Sequence, residues 1–311
     1  MNWSALYLAT DGDGPRWATE LARHLPELTL RLWPDVGDPA AIEAALAWQP
    51  PPGVLAQLPN LRLIQSLGAG IDHLLSDPAL PPAVPIVRLV DPHMTTAMSE
   101  YVEFQVLRLH RQDLAYLMQQ REGRWQVLPQ PNAAERRVGI LGLGVMGSDA
   151  ALRLAVLGFD VAGWSRSERK LPGVTCFHGA AGLAPLLARS EILVCLLPLT
   201  VETRGILDAQ LLAALPRGAG LINCARGGHL VEADLLAALD AGQISAAVLD
   251  VFEEEPLPPD HPFWRHPRII LTPHVAGATN PATAAPIVAE ALRRLREGKP
   301  IANLADRSRA Y

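Results

Sequence analysis

A glycine-rich segment in the middle of the chain constrains the fold more than any other feature. Gly142-Leu143-Gly144-Val145-Met146-Gly147 follows an apolar run at residues 137–141 and precedes a helical stretch at residues 150–157. Glycines at this spacing allow a tight turn, a close approach of the backbone to a ligand, and close packing of the helix on the strand. The N–H groups at the start of the helix then point toward a pyrophosphate. The segment therefore predicts a βαβ unit that binds a dinucleotide.

Short apolar runs alternate with helical segments on both sides of this turn. Such alternation is typical of doubly wound α/β sheets with right-handed crossovers. Strands are predicted at residues 5–9, 28–32, 61–65, 84–88, 137–141, 160–164, 191–197, 221–225, 246–250 and 269–272, and residues 44–48 are a further candidate. Long helices are predicted from Met94 to Gln120 and from Thr283 to Leu295.

The length of 311 residues is sufficient for two domains. We predict a substrate-binding domain of residues 1–93 and 282–311, and a dinucleotide-binding domain of residues 94–281. The last helix follows the second domain in sequence but is expected to pack on the first, so the chain would cross between the domains twice. The predicted fold class is α/β, with two doubly wound domains of the Rossmann and flavodoxin type and a cleft between them.

Composition and charge argue against several classes of function. The chain is 49% hydrophobic and 19% charged, which is typical of a globular protein. With a net charge of −5 and no cluster of Lys or Arg, neither a nucleic acid nor a membrane is expected as a partner. No apolar stretch is long enough to span a bilayer. The cysteines Cys176, Cys195 and Cys224 are scattered and odd in number, which predicts inert thiols in a reducing cytoplasm.

The strand at residues 160–164 bears on the choice of nicotinamide cofactor. A site that prefers NAD carries an acidic residue after this strand, about twenty residues beyond the glycines, to bind the ribose 2′-hydroxyl. Here the segment is Trp164-Ser165-Arg166-Ser167, followed by Arg169 and Lys170. Cations and hydroxyls can bind a 2′-phosphate. We therefore predict NADPH, with NADH less favoured; the alternative is a solvated basic loop.

Three chemically complementary residues, Arg226, Glu255 and His274, lie just beyond the last three predicted strands. The carboxyl ends of parallel strands meet at one edge of an open sheet, where ligands bind. His274 can donate a proton to a developing alkoxide, and Glu255 can hold its imidazole. Arg226 can bind a carboxylate and polarise a carbonyl. Each residue alone could be an ordinary loop residue, so the functional interpretation depends on their common placement.

Two further candidates lie at strand ends. Asp250 could provide an additional carboxylate or simply cap the local backbone. The glycines of Gly68-Ala69-Gly70 could let consecutive N–H groups form a nest for a substrate carboxylate, or make a tight turn. His93, His261 and His266 show no metal-ligand spacing, and no metal is expected.

Taken in order, the motifs resemble those of the D-isomer-specific 2-hydroxyacid dehydrogenases, most closely the glyoxylate/hydroxypyruvate reductase A branch. The likeness covers essentially the whole chain, including the ending Asp306-Arg307-Ser308-Arg309-Ala310-Tyr311. The motifs are Gly68-Ala69-Gly70-Ile71-Asp72, Gly142-Leu143-Gly144-Val145-Met146-Gly147, Trp164-Ser165-Arg166-Ser167, Asn223-Cys224-Ala225-Arg226-Gly227, Leu249-Asp250-Val251-Phe252-Glu253-Glu254-Glu255-Pro256-Leu257-Pro258 and Thr272-Pro273-His274.

The resemblance implies that Arg226, Glu255 and His274 are catalytic and that the chain forms a homodimer largely through its cofactor domain. It also implies NADPH-dependent reduction of glyoxylate to glycolate and of hydroxypyruvate to D-glycerate. Trp48 matches a tryptophan near the substrate pocket of that branch, which indicates small 2-oxo acids. We assign the cofactor site to Gly142, Leu143, Gly144, Val145, Met146, Gly147, Ser165, Arg166, Ser167, Lys170, Pro198, Ala225 and Asp250, and the substrate site to Trp48, Gly68, Ala69, Gly70, Arg226 and His274.

Other functions remain open. Gly144-Val145-Met146-Gly147 also resembles the fingerprint of β-hydroxyacid dehydrogenases, but those carry it at the extreme N-terminus, whereas here it starts at residue 142. Some relatives of the 2-hydroxyacid dehydrogenases are nucleotide-sensing transcriptional co-repressors, and a reductase for a different 2-oxo acid is a further alternative. The lack of basic or extended partner-binding segments favours an enzyme.

Overall fold

The structure, a computed structural model, describes residues 3–307. Residues 308–311, which belong to the ending that shares the family resemblance, lie outside the described residues, as do residues 1 and 2. The chain forms two compact units, the first comprising Met1–Met94 with Thr279–Tyr311 and the second comprising Thr95–Ala278.

The described residues form two entirely parallel sheets. The first unit has the strand order β2-β1-β3-β4-β5, and the second has the order β12-β11-β10-β9-β6-β7-β8. The strands are β1 (Trp3–Leu8), β2 (Leu28–Leu32), β3 (Ile42–Ala47), β4 (Leu63–Ser66), β5 (Ile86–Val87), β6 (Arg137–Leu141), β7 (Asp160–Ser165), β8 (Thr175–His178), β9 (Ile192–Cys195), β10 (Ala219–Asn223), β11 (Ile244–Leu249) and β12 (Ile269–Leu271).

Helices connect these strands and cover the sheets. Those within residues 3–307 are α1 (Gly14–His24), α2 (Asp72–Leu75), α3 (Pro92–His110), α4 (Asp113–Arg121), α5 (Val145–Val156), α6 (Gly179–Arg189), α7 (Ala209–Ala214), α8 (Glu232–Asp240) and α9 (Pro281–Glu297). Although α9 follows the second unit in sequence, it packs against α1 of the first. Within this part of the chain, no helix has the length and apolar character needed to cross a membrane.

The second sheet is buried on both faces. Leu193 of β9 and Leu221 of β10 belong to one apolar cluster, whereas their neighbours Val194 and Ile222 belong to another. Successive side chains of a strand point to opposite faces, so the two clusters lie on opposite sides of the sheet. The predicted class, α/β with two doubly wound sheets, is confirmed.

The helix predicted from Met94 to Gln120 is instead two helices, α3 and α4. Gln112 separates them with a φ of 58°, in the left-handed region. Its Nε2 atom donates to the carbonyl oxygen of Pro129 at 2.6 Å, and Arg108 pairs with Asp113 at 2.9 Å. These contacts hold the break, which helical periodicity alone does not predict.

Each sheet contains a point where the strand order reverses, and ligands bind in the crevice that this leaves at the carboxyl ends of the strands. In the first unit the reversal lies between β1 and β3, and Trp48 directly follows β3. In the second unit it lies between β6 and β9. The glycine-rich turn follows β6, and Pro198 lies three residues beyond β9.

Candidate active site

The glycine-rich turn between β6 and α5 is shaped for a phosphate-bearing ligand. Gly142 has a φ of 102°, and a Cβ there would lie 2.6 Å from the carbonyl oxygen of Leu196. A Cβ on Gly147 would lie 1.8 Å from the carbonyl oxygen of Gly142, so both positions require glycine. In contrast, a Cβ on Gly144 would meet nothing within 4 Å, and α5 has no side-chain cap. This open side and the uncapped N–H groups fit a dinucleotide pyrophosphate.

The apolar residues of this turn differ in their surroundings. Leu143 is buried beside Gly163, where a Cβ would lie 2.4 Å from its Cδ2 atom. Met146 packs against the apolar cluster to which Leu143 belongs, whereas Val145 is exposed. The side chain of Leu143 therefore belongs to the core, which limits its predicted cofactor contact to the backbone.

The residues predicted to bind the 2′-phosphate lie at the end of β7 and on the exposed turn that follows it. Ser165 Oγ donates to the carbonyl oxygen of Ser167 at 2.7 Å, which fixes the turn. Arg166 and Lys170 are exposed, and Lys170 Nζ lies 3.7 Å from the carboxylate of Glu168. Since an exposed ion pair contributes little energy, Lys170 can exchange Glu168 for a phosphate. Arg166 and Lys170 are thus stronger phosphate candidates than Ser165, whose proton is donated within the turn.

Two side chains hold the backbone of Arg226 at the end of β10. Its carbonyl oxygen accepts a hydrogen bond from Asn223 Nδ2 at 3.0 Å and lies 3.1 Å from His229 Nδ1. The buried ring of His229 also places Nε2 3.2 Å from the carbonyl oxygen of Pro198, linking the loops after β9 and β10. The guanidinium of Arg226 donates to the carbonyl oxygen of Ala225 at 2.7 Å. Neither supporting role is evident from the sequence, where Asn223 appears only as part of a motif and His229 follows that motif.

His274 and Glu255, which follow the adjacent strands β12 and β11, form a hydrogen-bonded pair. His274 Nδ1 lies 2.7 Å from Glu255 Oε2, and Glu255 Oε1 accepts the N–H of Phe252 at 2.9 Å. Because a carboxylate only accepts, Nδ1 is the protonated nitrogen of this contact. The bond fixes the ring orientation, and Nε2 is then the nitrogen suited to act on a substrate.

Two opposing effects set the pKa of Glu255. Burial raises it, but the hydrogen bond and charge of His274, the N–H of Phe252 and the charge of Arg226 together bring the pKa below its usual value. Glu255 is therefore ionised at neutral pH, and its carboxylate interacts electrostatically with both Arg226 and His274. Because its folded pKa is lowered, Glu255 stabilises the fold above its unfolded pKa. That contribution is lost as the pH falls through the folded value.

His274 itself has a φ of 53°, a conformation that costs a residue with a side chain roughly 1–2 kcal/mol. The buried carboxylate of Asp250 holds the loop by accepting from Thr272 Oγ1 at 2.6 Å, from the N–H of Val275 at 3.0 Å and from that of Ala276 at 2.9 Å. Of the two sequence interpretations of Asp250, capping is the one these contacts support. A carboxylate offers about four acceptor positions, and these contacts use three of them. A contact between Asp250 and the cofactor therefore stays a prediction.

In the first unit, Trp48 packs between a glycine and a histidine. Its ring centroid lies 4.6 Å from that of His73. A Cβ on Gly68 would lie 2.5 Å from Trp48 Cζ3, so glycine is needed there to make room for the indole ring. Any larger residue would displace Trp48 from the crevice at the end of β3.

In the turn Gly68-Ala69-Gly70, where an anion nest is predicted, the first N–H group already has a partner within the turn. The N–H of Gly68 donates to Ser66 Oγ at 3.2 Å, and Ser66 Oγ lies 3.0 Å from the carbonyl oxygens of both Gly68 and Gly70. Ser66 therefore organises the turn from within. The substrate contact of Gly68, Ala69 and Gly70 stays a prediction, and a ligand at Gly68 would compete with Ser66 for the N–H group.

Cys195, Cys224 and His261 have structural surroundings. Burial raises the pKa of Cys195 to about 12 and that of Cys224 well above its usual value, so both thiols are inert. His261 lies 3.0 Å from Glu232. Across residues 3–307, no three His, Cys, Asp or Glu side chains are grouped to hold a metal ion.

Comparison with known proteins identifies the family. Residues 104–276 match the model of the D-isomer specific 2-hydroxyacid dehydrogenase NAD binding domain. The chain is 46% identical to a D-isomer specific 2-hydroxyacid dehydrogenase from Xanthobacter autotrophicus Py2, solved with NADPH and MES, with 100% of both chains covered and a TM-score of 0.94. It is 40% identical to the NADPH-dependent glyoxylate/hydroxypyruvate reductase of Sinorhizobium meliloti, solved with NADP and sulfate, covering 99% of this chain and 100% of that one with a TM-score of 0.92. The chain belongs to the D-isomer specific 2-hydroxyacid dehydrogenase family.

Proposed function

We propose that this chain reduces small 2-oxo acids with NADPH, converting glyoxylate to glycolate and hydroxypyruvate to D-glycerate, with His274 as the proton donor. The observation that carries the proposal is the 2.7 Å hydrogen bond between His274 Nδ1 and Glu255. The charge of Arg226 also helps to lower the pKa of Glu255. The similarity to the Sinorhizobium meliloti reductase supports this choice of substrates. A cytoplasmic location, which the cysteine pattern indicates, is part of the proposal.

Each residue of the site has a distinct task in this reaction. When bound, NADPH supplies the hydride that reduces the carbonyl carbon. His274 transfers its Nε2 proton to the carbonyl oxygen as negative charge develops there. Glu255 keeps the imidazole oriented by accepting a hydrogen bond from its Nδ1. Arg226 binds the substrate carboxylate through its planar fork and polarises the carbonyl.

The two units divide the remaining tasks. The second unit is proposed to hold the cofactor, with the pyrophosphate at Gly144 and the 2′-phosphate at Arg166 and Lys170. The first unit is proposed to bind the substrate. Within it, Trp48 is held by Gly68 and His73, and its large ring would limit the size of the substrate side chain.

A panel of substrates tests the proposal directly. Steady-state rates should be measured for glyoxylate, hydroxypyruvate, pyruvate and a bulky 2-oxo acid, each with NADPH and with NADH. The expected order places glyoxylate and hydroxypyruvate first. A preference for the bulky acid would favour a different member of the family, and no turnover of any 2-oxo acid would exclude the proposed reaction.

Cofactor preference gives a quantitative prediction. Because Arg166 and Lys170 stand where an NAD-binding site has an acid, kcat/KM should be at least about tenfold higher with NADPH than with NADH, a difference of about 1.4 kcal/mol. The double variant Arg166→Asp with Lys170→Ala should narrow or invert this ratio. Arg265→Asp combined with Lys299→Ala makes the same change of net charge at two exposed positions, so it is the matched control and should leave the ratio unchanged. Equal use of both cofactors by the wild type would contradict the assignment.

We also propose that the chain forms a homodimer through the segment 104–127 of the second unit. Tyr116 OH accepts the N–H of Leu128 at 3.1 Å, and Gln119 accepts that of Gln126 at 3.0 Å, so the segment after α4 folds back along this helix. Several large apolar side chains exposed on one segment are typical of a contact surface, and the resemblance implies a second copy as its partner. Its exposed side chains are Phe104, Leu107, Tyr116, Leu117, Trp125 and Val127.

Two matched valines test the dimer. Val127 is 82% exposed within this surface, and Val156 is 87% exposed at the end of α5. Val127→Lys should weaken the dimer by about tenfold or more, because it places a charge in an apolar contact. Val156→Lys should leave the dissociation constant of the dimer unchanged. Analytical ultracentrifugation measures both dissociation constants, and a monomeric wild type at micromolar concentration would refute the proposal.

A further inference from the structure

A series of hydrogen bonds leads from α3 to the backbone around His274. Thr272 Oγ1 donates to Asp250 Oδ1 at 2.6 Å, and the hydroxyl of Tyr101 lies 2.6 Å from Thr272 Oγ1. Because Thr272 has one hydroxyl proton and donates it to Asp250, Tyr101 must be the donor to Thr272. Burial raises the pKa of Tyr101, so its hydroxyl keeps that proton at neutral pH.

The far end of this series fixes the loop that carries His274. Asp250 accepts the N–H groups of Val275 and Ala276, and its carbonyl oxygen accepts the N–H of His274 at 2.8 Å. Three consecutive N–H groups are thus tied to one residue. A side-chain-bearing residue with a φ of 53° persists only where its surroundings hold it, and Asp250 supplies that restraint.

We propose that Tyr101 is a positioning residue, which acts through Thr272 and Asp250 to hold His274 in register with Glu255. Tyr101 is 171 residues from Thr272 in sequence, and its hydroxyl reaches the loop after β12 through that threonine. The effect of Tyr101 on catalysis rests on the proposed function, whereas the effect of Tyr101 on the His274–Glu255 bond does not.

The hydroxyl of Tyr101 can be separated from its ring. The ring packs against the apolar cluster that contains Val102 and Ile140, and phenylalanine would preserve this packing. Tyr101→Phe therefore removes only the donor to Thr272. Thr272→Val breaks the series at its next member, whereas Thr272→Ser keeps the hydroxyl and should restore wild-type behaviour.

The control is a tyrosine of matched environment in the first unit. Tyr7 is buried and donates to Asp11 Oδ1 at 2.7 Å, so Tyr7→Phe removes a comparable hydrogen bond. The charged groups around the imidazole, Glu255, Arg226 and Asp250, are retained in every variant. Differences among the variants therefore report position, not a change of charge.

The first measurement uses no substrate or cofactor. In protein labelled with ¹⁵N-histidine, the Nδ1 proton of His274 is assigned by its disappearance in His274→Ala, and its exchange with water is measured by NMR. The rate should rise about five- to tenfold in Tyr101→Phe and Thr272→Val, because the bond to Glu255 opens more often. Thr272→Ser and Tyr7→Phe should match the wild type.

The second measurement is kinetic. In Tyr101→Phe and Thr272→Val, turnover of glyoxylate should fall about tenfold while the KM for NADPH changes less than about twofold, because the acid is displaced whereas the predicted phosphate contacts at Gly144, Arg166 and Lys170 are not. Wild-type exchange rates in both variants would overturn the proposal. Faster exchange in a chain whose wild type reduces no 2-oxo acid would support the positioning role and refute only the proposed function.

Discussion

Replacing His274 with alanine is expected to slow the turnover of glyoxylate by roughly 100- to 10,000-fold, the range typical for the loss of a general acid. The reason is local: Nδ1 is bonded to Glu255 at 2.7 Å, and Nε2 is the nitrogen assigned to the substrate oxygen. Because His274 is not assigned to the cofactor, the affinity for NADPH should change by less than about threefold. Absorbance assays with glyoxylate and fluorescence titration with NADPH measure these two quantities.

His24→Ala provides the control for this experiment. His24 is an exposed histidine at the end of α1 in the first unit, and its loss should leave both the turnover of glyoxylate and the affinity for NADPH unchanged. If His274→Ala kept more than about a tenth of wild-type turnover, His274 would not be the proton donor. A parallel loss of NADPH binding would point instead to collapse of the loop after β12.

The fold class was predictable because its strands are buried on both faces. In the sequence β9 is an uninterrupted apolar run and β10 is apolar up to Asn223, and such runs are typical of parallel sheets. β8 was missed because Thr175–His178 is a short edge strand with exposed ends. The break at Gln112 was missed as well, since it depends on contacts with Pro129 and between Arg108 and Asp113.

The catalytic candidates were predictable from topology, but the residues that hold them in position by hydrogen bonds were not. Neighbouring parallel strands bring residues that follow them to one edge, which is why Glu255 and His274 could be paired from sequence. Tyr101 carries no such signal, and Thr272 follows β12 without showing which residue it contacts. Their roles arise from a hydrogen bond between residues 171 positions apart, and no local pattern predicts a bond across that separation.

Gly68 shows that one glycine can have more than one structural reason. From sequence, its lack of a side chain suggested backbone N–H groups turned toward an anion. In the structure, the space is taken by Trp48, whose Cζ3 would lie 2.5 Å from a Cβ at this position. Glycine permits a close approach from either a ligand or a neighbouring side chain, and only the tertiary structure distinguishes the two.

Arg226→Lys is expected to lower kcat/KM for glyoxylate by about 100-fold, through both a higher KM and a lower kcat. Lysine keeps the positive charge but loses the planar fork that binds a carboxylate with two hydrogen bonds. It also removes the guanidinium donor to the carbonyl oxygen of Ala225, a contact of 2.7 Å that orients the side chain. The charge of Arg226 helps to lower the pKa of Glu255, and lysine keeps a positive charge at this position. The variant therefore tests the geometry of the guanidinium and not the loss of its charge.

Arg217→Lys is the matched control for this change. Arg217 also donates from a guanidinium nitrogen to a backbone carbonyl, that of Ala241 at 2.7 Å, but it lies on an exposed surface. Its replacement should leave kcat/KM unchanged. The affinity of the NADPH-bound protein for oxalate, a planar analogue of the 2-oxo acid, should fall in Arg226→Lys and not in Arg217→Lys. Wild-type oxalate binding and turnover in Arg226→Lys would show that its two-pronged contact is not what holds the substrate carboxylate.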